Sequence, residues 1–149
     1  MGRRGGDKEM ERRGEVVLDS SVVVKWFSQE QGSDEALQLL DLHVEGSVRL
    51  WVVDLAYSEV ANALRYNPRF DLDGLRRAVE RMYRLHMGTK PVAETLLERA
   101  AEIAYKGDVT IYDALPVALA QDMGTVCVTG DVKTQLSRLA HIGYPVEPL

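Results

Sequence analysis

Val16-Val17-Leu18-Asp19-Ser20-Ser21-Val22-Val23-Val24-Lys25-Trp26-Phe27 is an apolar run broken once, by Asp-Ser-Ser. The β-branched stretch from Glu15 to Asp19 predicts a short strand. The second half predicts a short helix from Val22 to about Ser28. The break puts Asp19 at the carboxyl end of the strand. Asp and Ser are favoured in turns and at helix caps, so the break has a purely structural reading. The other reading makes Asp19 one ligand of a site gathered from distant residues. What stands at the other strand ends decides between them.

Further along, Val48–Val53 and Thr125–Thr129 read as strands, and Thr89–Val92 as a short edge strand, because Pro91 argues against a central position. Between them lie helical patterns. Ser33 opens one as a cap, Ala36, Leu39, Leu40 and Val44 form its apolar stripe, and Gly46 ends it. Asp54 opens another, which runs to about Tyr66, ahead of Pro68. Leu72–His86 carries apolar residues at Leu72, Leu75, Val79, Met82 and Leu85. Ala93–Tyr105 stops at Gly107, Thr110 caps a helix to Met123 and Gly124, and Lys133–His141 is the last. Strands alternating with helices imply an α/β fold, a mostly parallel sheet covered on both faces. Sites in such sheets gather beyond the carboxyl ends of the strands.

The bulk properties fit one soluble globular domain. There are 149 residues, 46% of them hydrophobic and 28% charged. Residues 1–14 are Gly-rich and charged and read as a disordered leader, with the domain spanning 15–149. That leader holds five basic and three acidic groups, which leaves 13 basic against 20 acidic groups, a body at −7. A broad nucleic-acid groove is not built that way, so a nucleic-acid role needs a local basic rim or bound cations. The single cysteine, Cys127, excludes an internal disulfide and a thiolate metal cluster. No run is long enough to span a membrane and the start is not signal-like, so a cytoplasmic protein is expected.

Four acids fall on the predicted carboxyl edge. Asp19 ends the first strand, and Asp131 lies two residues past the last one. Glu59 is early in the helix after the second strand, and Asp113 is in the first turn of its helix. Each has a bland role: a cap, a solvated helix position or a favourable place on a helix dipole. Together those roles would place four acids on one edge by coincidence. Glu59 and Asp113 are also flanked by apolar residues, where an unpaired carboxylate is costly. Converging acids raise one another's pKa, and a hard divalent cation relieves them. The chemistry this implies is metal-assisted attack of water on a phosphodiester.

The segments Val-Leu-Asp19-Ser-Ser, Glu59-Val-Ala-Asn62-Ala-Leu, Ile-Tyr-Asp113-Ala-Leu and Val-Thr129-Gly-Asp131 resemble, in order and spacing, those of the PIN-domain nucleases. More closely, the chain after Gly14 looks like the VapC-type toxins of toxin–antitoxin pairs. The resemblance implies a three-layer α/β/α fold and an endoribonuclease dependent on Mg²⁺ or Mn²⁺. Asp19, Glu59, Asp113 and Asp131 would be metal ligands and the catalytic set. Ser21 and Thr129 would be polar supports and Asn62 an inward-facing helper. The resemblance further implies an RNA substrate, a homodimer and a small antitoxin partner. Lys25, Arg65 and Lys133 are weaker candidates for phosphate contacts, since ordinary surface charge explains each singly. Two positions depart from the family pattern. Pro116 stands three residues after Asp113 inside a predicted helix, and Asp54 stands where the family often has proline. The non-enzyme alternative is a catalytically weak PIN-like scaffold that binds RNA or protein. His43, His86 and His141 lack metal-ligand spacing and read as surface residues, and Trp51 as a core residue.

Overall fold

The computed structural model describes residues 14–149. The proposed leader thus lies, Gly14 apart, outside the described residues. The elements are β1 (Glu15–Leu18), α1 (Ser20–Val24), α2 (Ser33–Glu45), β2 (Arg49–Val53), α3 (Leu55–Arg65), α4 (Leu72–Arg84), β3 (Gly88–Lys90), α5 (Glu94–Gly107), α6 (Ile111–Met123) and β4 (Cys127–Thr129). After β4 come a π-helical turn (Val132–Leu136), the single turn α7 (Ser137–Leu139), a 3₁₀ turn (Ala140–Ile142) and β5 (Val146–Pro148).

The strands form one sheet in the order β3-β2-β1-β4-β5, and every pairing is parallel. Val16, Val17 and Leu18 of the central β1 are fully buried, as a strand covered on both faces requires. Their alternation sorts them into two layers. Val16 and Leu18, with Leu50, Val52 and Val128, face the helices α1–α4 through Val23, Leu39, Val60, Leu64 and Met82. Val17, with Val53, Cys127 and Val146, faces α5 and α6 through Ile103, Leu115, Val117 and Leu119. This is the expected three-layer α/β/α arrangement. The chain winds from β1 outward to β2 and β3, then returns to β4 and β5 on the other side of β1. The direction of winding reverses between β1 and β4, and in open parallel sheets that reversal leaves a crevice at the carboxyl edge. Asp19 and Asp131 follow the two strands that flank it.

Several local expectations need correction. Gly32, not Ser33, precedes the first turn of α2, with φ 90°, while the Ser33 hydroxyl donates to the Ser28 carbonyl. Val44 and Leu72 are exposed, so the buried stripes are Ala36, Leu39 and Leu42 in α2 and Ala78 and Met82 in α4. The Asp54 side chain does not cap α3 but accepts from the Val92 N–H at 3.2 Å, tying α3's start to the segment after β3. Gly107 stays in α5, and Asp108, at φ 53°, is the left-handed residue that ends it. The last helix is a composite of π, α and 3₁₀ turns. β5, absent from the sequence reading, pairs with β4 at the sheet edge. His43 is half-buried rather than at the surface. Its Nδ1 accepts from the Leu50 N–H at 3.1 Å, so its Nε2–H donates to the Leu85 carbonyl at 2.7 Å. Trp51 is half-buried, with Arg49 and Lys90 over its ring at 4.4 and 5.4 Å from the centroid. Its ring lies on Gly88 across the β2–β3 pair, where a Cβ would meet it at 2.2 Å.

Candidate active site

Asp19 leaves β1 with its N–H bonded to the Val128 carbonyl of β4 at 3.0 Å. The next residues turn into α1, and its carboxylate caps that helix by accepting from the Ser21 N–H at 3.1 Å and from the Ser21 hydroxyl. The Thr129 hydroxyl approaches the same oxygen at 3.4 Å. Asp19 is 8% exposed. Burial raises its pKa most, the Ser21 hydrogen bonds oppose that, and the charges of Asp113 and Asp131 raise it again. Capping and membership of a charged cluster are therefore both true of Asp19.

Asp131 also caps. Its Oδ1 accepts from the Thr134 N–H at 3.0 Å and its Oδ2 from the Gln135 N–H at 3.4 Å. Its own N–H donates to the Thr129 hydroxyl at 2.9 Å, and the Gly130 N–H donates to the Ser21 hydroxyl at 2.9 Å. Ser21 and the fully buried Thr129 thus splice the end of β1 to the loop after β4. The Lys25 side chain packs over Gly130, where a Cβ would meet its Cε at 2.7 Å and push that flexible chain aside.

Asp113 sits in the first turn of α6, paired with its cap. The Asp113 N–H donates to the Thr110 hydroxyl at 3.0 Å, and the Asp113 carboxylate accepts in return from Thr110. Burial raises its pKa first, Thr110 counters, the Asp131 charge raises it, and Arg138 lowers it slightly. Glu59 lies one turn into α3 and is half-buried. Burial, then the charges of Asp19 and Asp113, push its pKa from 4.5 up to about 7, against a hydrogen bond from Ser20. The charges of Asp113 and Asp131 act on Asp19, those of Asp19 and Asp113 on Glu59, and that of Asp131 on Asp113, so the fold brings the four to one edge. Among the described residues no three such side chains stand at metal-ligand spacing. The donors of the set are all carboxylate oxygens, which fits a hard cation such as Mg²⁺ or Mn²⁺.

The remaining candidates separate. Asn62 is exposed, not inward-facing. It lies two residues, roughly 200° of helix rotation, past the buried Val60. The Lys25 ammonium donates to Glu30 Oε1 and the Gln31 carbonyl, both at 2.8 Å, and is 13% exposed, so it is not an open rim cation. Arg65 is exposed, with its guanidinium 5.2 Å from the Tyr66 ring centroid. Lys133 is exposed and, with Lys25, Thr129, Asp131 and Leu149, lines a cleft of about 720 Å³ beside the acids. Two contacts escaped the sequence reading. Ser20 serves Glu59, and its only signal was its place in the Asp19-Ser20-Ser21 break. Gln135, 1% exposed, donates through Nε2 to the Asp113 main-chain carbonyl at 2.6 Å, and nothing local announced it.

A family profile described as "PIN domain" matches residues 16–142. Ribonuclease VapC3 of Pyrobaculum aerophilum is 32% identical over 121 residues, which are 78% of this chain and 88% of that one. Among solved structures, Mycobacterium tuberculosis VapC20, described as a Sarcin-Ricin loop cleaving toxin, aligns with a TM-score of 0.65. It is 17% identical, over 87% of this chain and 95% of that one. A toxin–antitoxin complex from Klebsiella pneumoniae aligns with a TM-score of 0.60 at 16% identity, over 80% of this chain and 88% of that one. These two likenesses concern the fold alone.

Proposed function

The chain belongs to the PIN-domain family, and on that premise we propose that it is a VapC-type endoribonuclease, hydrolysing RNA phosphodiester bonds at a four-carboxylate Mg²⁺ or Mn²⁺ site. The observation that supports this most is the gathering of Asp19, Glu59, Asp113 and Asp131 at the reversal point of a parallel sheet, where burial first and neighbouring acids second raise the pKa of Asp19, Glu59 and Asp113. The proposal extends to a cytoplasmic protein with a homodimeric state and an antitoxin partner, the latter in keeping with the toxin–antitoxin complex among its structural neighbours.

Asp19, Glu59, Asp113 and Asp131 would hold the cation. Bound there, it supplies Lewis acidity, lowering the pKa of water and neutralising phosphate charge. The chain's own residues prepare for this. Ser21 and Thr129 fix Asp19 against the loop of Asp131, which limits the motion needed to gather the ligands. Glu59, with its pKa pushed up to about 7, is only partly ionised at neutrality, and a cation bound there would favour its ionised form. Lys133 lines a cleft with Asp131 and would meet a phosphate of the incoming strand.

The experiment is cleavage of a labelled RNA by the wild type with Mn²⁺, by the wild type in EDTA, and by Asp19→Asn with Mn²⁺. Cleavage is expected only in the first. Activity that survives EDTA or the substitution would sink the metal-nuclease reading. RNA binding without cleavage in any arm would favour the scaffold alternative.

A further inference from the structure

Gln135 is a fully buried polar side chain, and it touches both sides of the acidic cluster. Its Nε2 donates to the Asp113 carbonyl at 2.6 Å, and its main-chain N–H donates to the Asp131 carboxylate at 3.4 Å. The two acids stand on elements that are not consecutive in the sheet's architecture, α6 and the loop after β4. Gln135 is the residue that bonds to both.

The local winding makes this possible. Leu136 N–H bonds to the Asp131 carbonyl at 3.0 Å, the i to i+5 bond of a π turn. That wide turn lets one carboxylate accept from two successive N–H groups, at Thr134 and Gln135. Wide turns of this kind are frequent at functional sites. On the other side, Pro116 lies inside α6 and is buried. It has no N–H to give the Tyr112 carbonyl, and its ring loosens the turn that carries Asp113. Gln135 grips that turn from outside, at the neighbouring carbonyl.

We propose that Gln135 is a positioning residue of the metal site. It sets the placement of Asp113 relative to Asp131, and through them the affinity for a divalent cation. This rests on the four-carboxylate reading. Residues that orient metal ligands without touching the metal typically change affinity by roughly tenfold to a hundredfold when replaced. A Gln that merely satisfied a buried carbonyl would change stability and leave affinity alone.

The test is Mn²⁺ affinity of the full chain by isothermal titration calorimetry, with Mn²⁺ electron paramagnetic resonance as a second measure. The proteins are wild type, Gln135→Met, Leu139→Val and Asp19→Asn. Gln135→Met keeps the side chain's length and loses its donor. Leu139 is fully buried against Gly107 on α5, and its trimming is a packing control. Gln135→Met is expected to bind Mn²⁺ at least about tenfold more weakly than wild type, and Leu139→Val within about twofold. The proposal is overturned if Gln135→Met binds within twofold of wild type, or if both variants lose affinity alike. If Gln135→Met does not fold, Gln135→Asn, which draws the amide back by one methylene, carries the same expectation. If wild type and Asp19→Asn both fail to titrate Mn²⁺, the four-carboxylate reading itself is wrong and this proposal goes with it. Wild-type binding that Asp19→Asn loses and Gln135→Met keeps removes the Gln135 proposal alone.

Discussion

Glu59→Gln should make the metal-free protein more stable at pH 8 and leave it little changed near pH 4.5. Burial and the charges of Asp19 and Asp113 raise Glu59 from 4.5 to about 7. At about 1.36 kcal/mol per pH unit, the full rise corresponds to roughly 3.4 kcal/mol. Glu59 is half in water, and solvent screening reduces this to about 1–2 kcal/mol. The folded state holds the Glu59 proton more tightly than the unfolded state does. Its contribution is therefore fully present below pH 4.5, is lost as pH rises, and is gone above about 7. Glutamine has nearly the same shape and no proton to lose, so it escapes that loss. Melting followed by circular dichroism in EDTA, from pH 5 to 8.5, reads the difference. The gap in favour of Glu59→Gln should widen up to about pH 7 and then stay level, reaching roughly 3–6 °C for a chain of this size. The proton is shared in a coupled cluster, so the midpoint belongs to the set rather than to Glu59 alone. Saturating Mn²⁺ should reverse the order, because a hundredfold excess over Kd stabilises the wild type by about 2.7 kcal/mol. A variant less stable than wild type at pH 8 in EDTA, or a gap independent of pH, would refute the reasoning.

Mn²⁺ affinity of the wild type should weaken as pH falls below about 7, by up to roughly tenfold per pH unit, because Glu59 must shed its proton to bind; calorimetry at pH 5.5, 6.5 and 7.5 checks this. Asp131→Asn keeps an acceptor for the Thr134 N–H and should stay within a few degrees of the wild-type melting temperature while losing RNA cleavage. Asp131→Ala should lose cleavage and about 1 kcal/mol as well, and equal melting of the two variants would deny the capping role. Gly88→Ala should lower the urea midpoint by the equivalent of about 1–3 kcal/mol, since its Cβ would stand 2.2 Å from the rigid Trp51 ring; an unchanged midpoint would show that the ring moves freely.

The sequence carried the sheet and the acids because both are written locally. Val16-Val17-Leu18 followed by Asp19, and Cys127-Val128-Thr129 followed by Asp131, are strands of uninterrupted apolar or β-branched residues ending in a carboxylate. A parallel sheet brings such ends to one edge whatever the intervening chain does. The parts that were not legible depend on partners far away. Val146-Glu147-Pro148 has no strand signal of its own and is a strand because β4 offers it an edge. Lys25 looked like a free cation until the chain brought Glu30 and Gln31 back to it. Asn62 follows Glu59 at helical spacing, but the orientation of α3 is fixed by Val60 and Leu64, which turn it outward.

One signal is only partly used in the sequence reading: Ser21 and Thr129 read as supports and Thr110 as a cap, but Ser20 is not assigned to Glu59. Each acid has a hydroxyl at hand: Ser21 for Asp19, Thr110 for Asp113, Thr129 at the Asp131 N–H, and Ser20 for Glu59. Three of the four lie within three residues of their acid in sequence. The capping bonds of Asp19 and Asp131 do not preclude the proposed ligand role. A carboxylate has about four lone-pair sites, and a cap uses one or two of them. Asp19 and Asp131 spend those on Ser21, Thr134 and Gln135, and this fixes the direction of what remains. A cluster of like charges is tolerable when each member is braced by donors that favour its ionised form, and burial then costs less than it would alone. Glu59 borrows its brace from another element, Ser20 at the start of α1, and burial with the charges of Asp19 and Asp113 pushes its pKa up to about 7, so a cation bound there would compete with its proton.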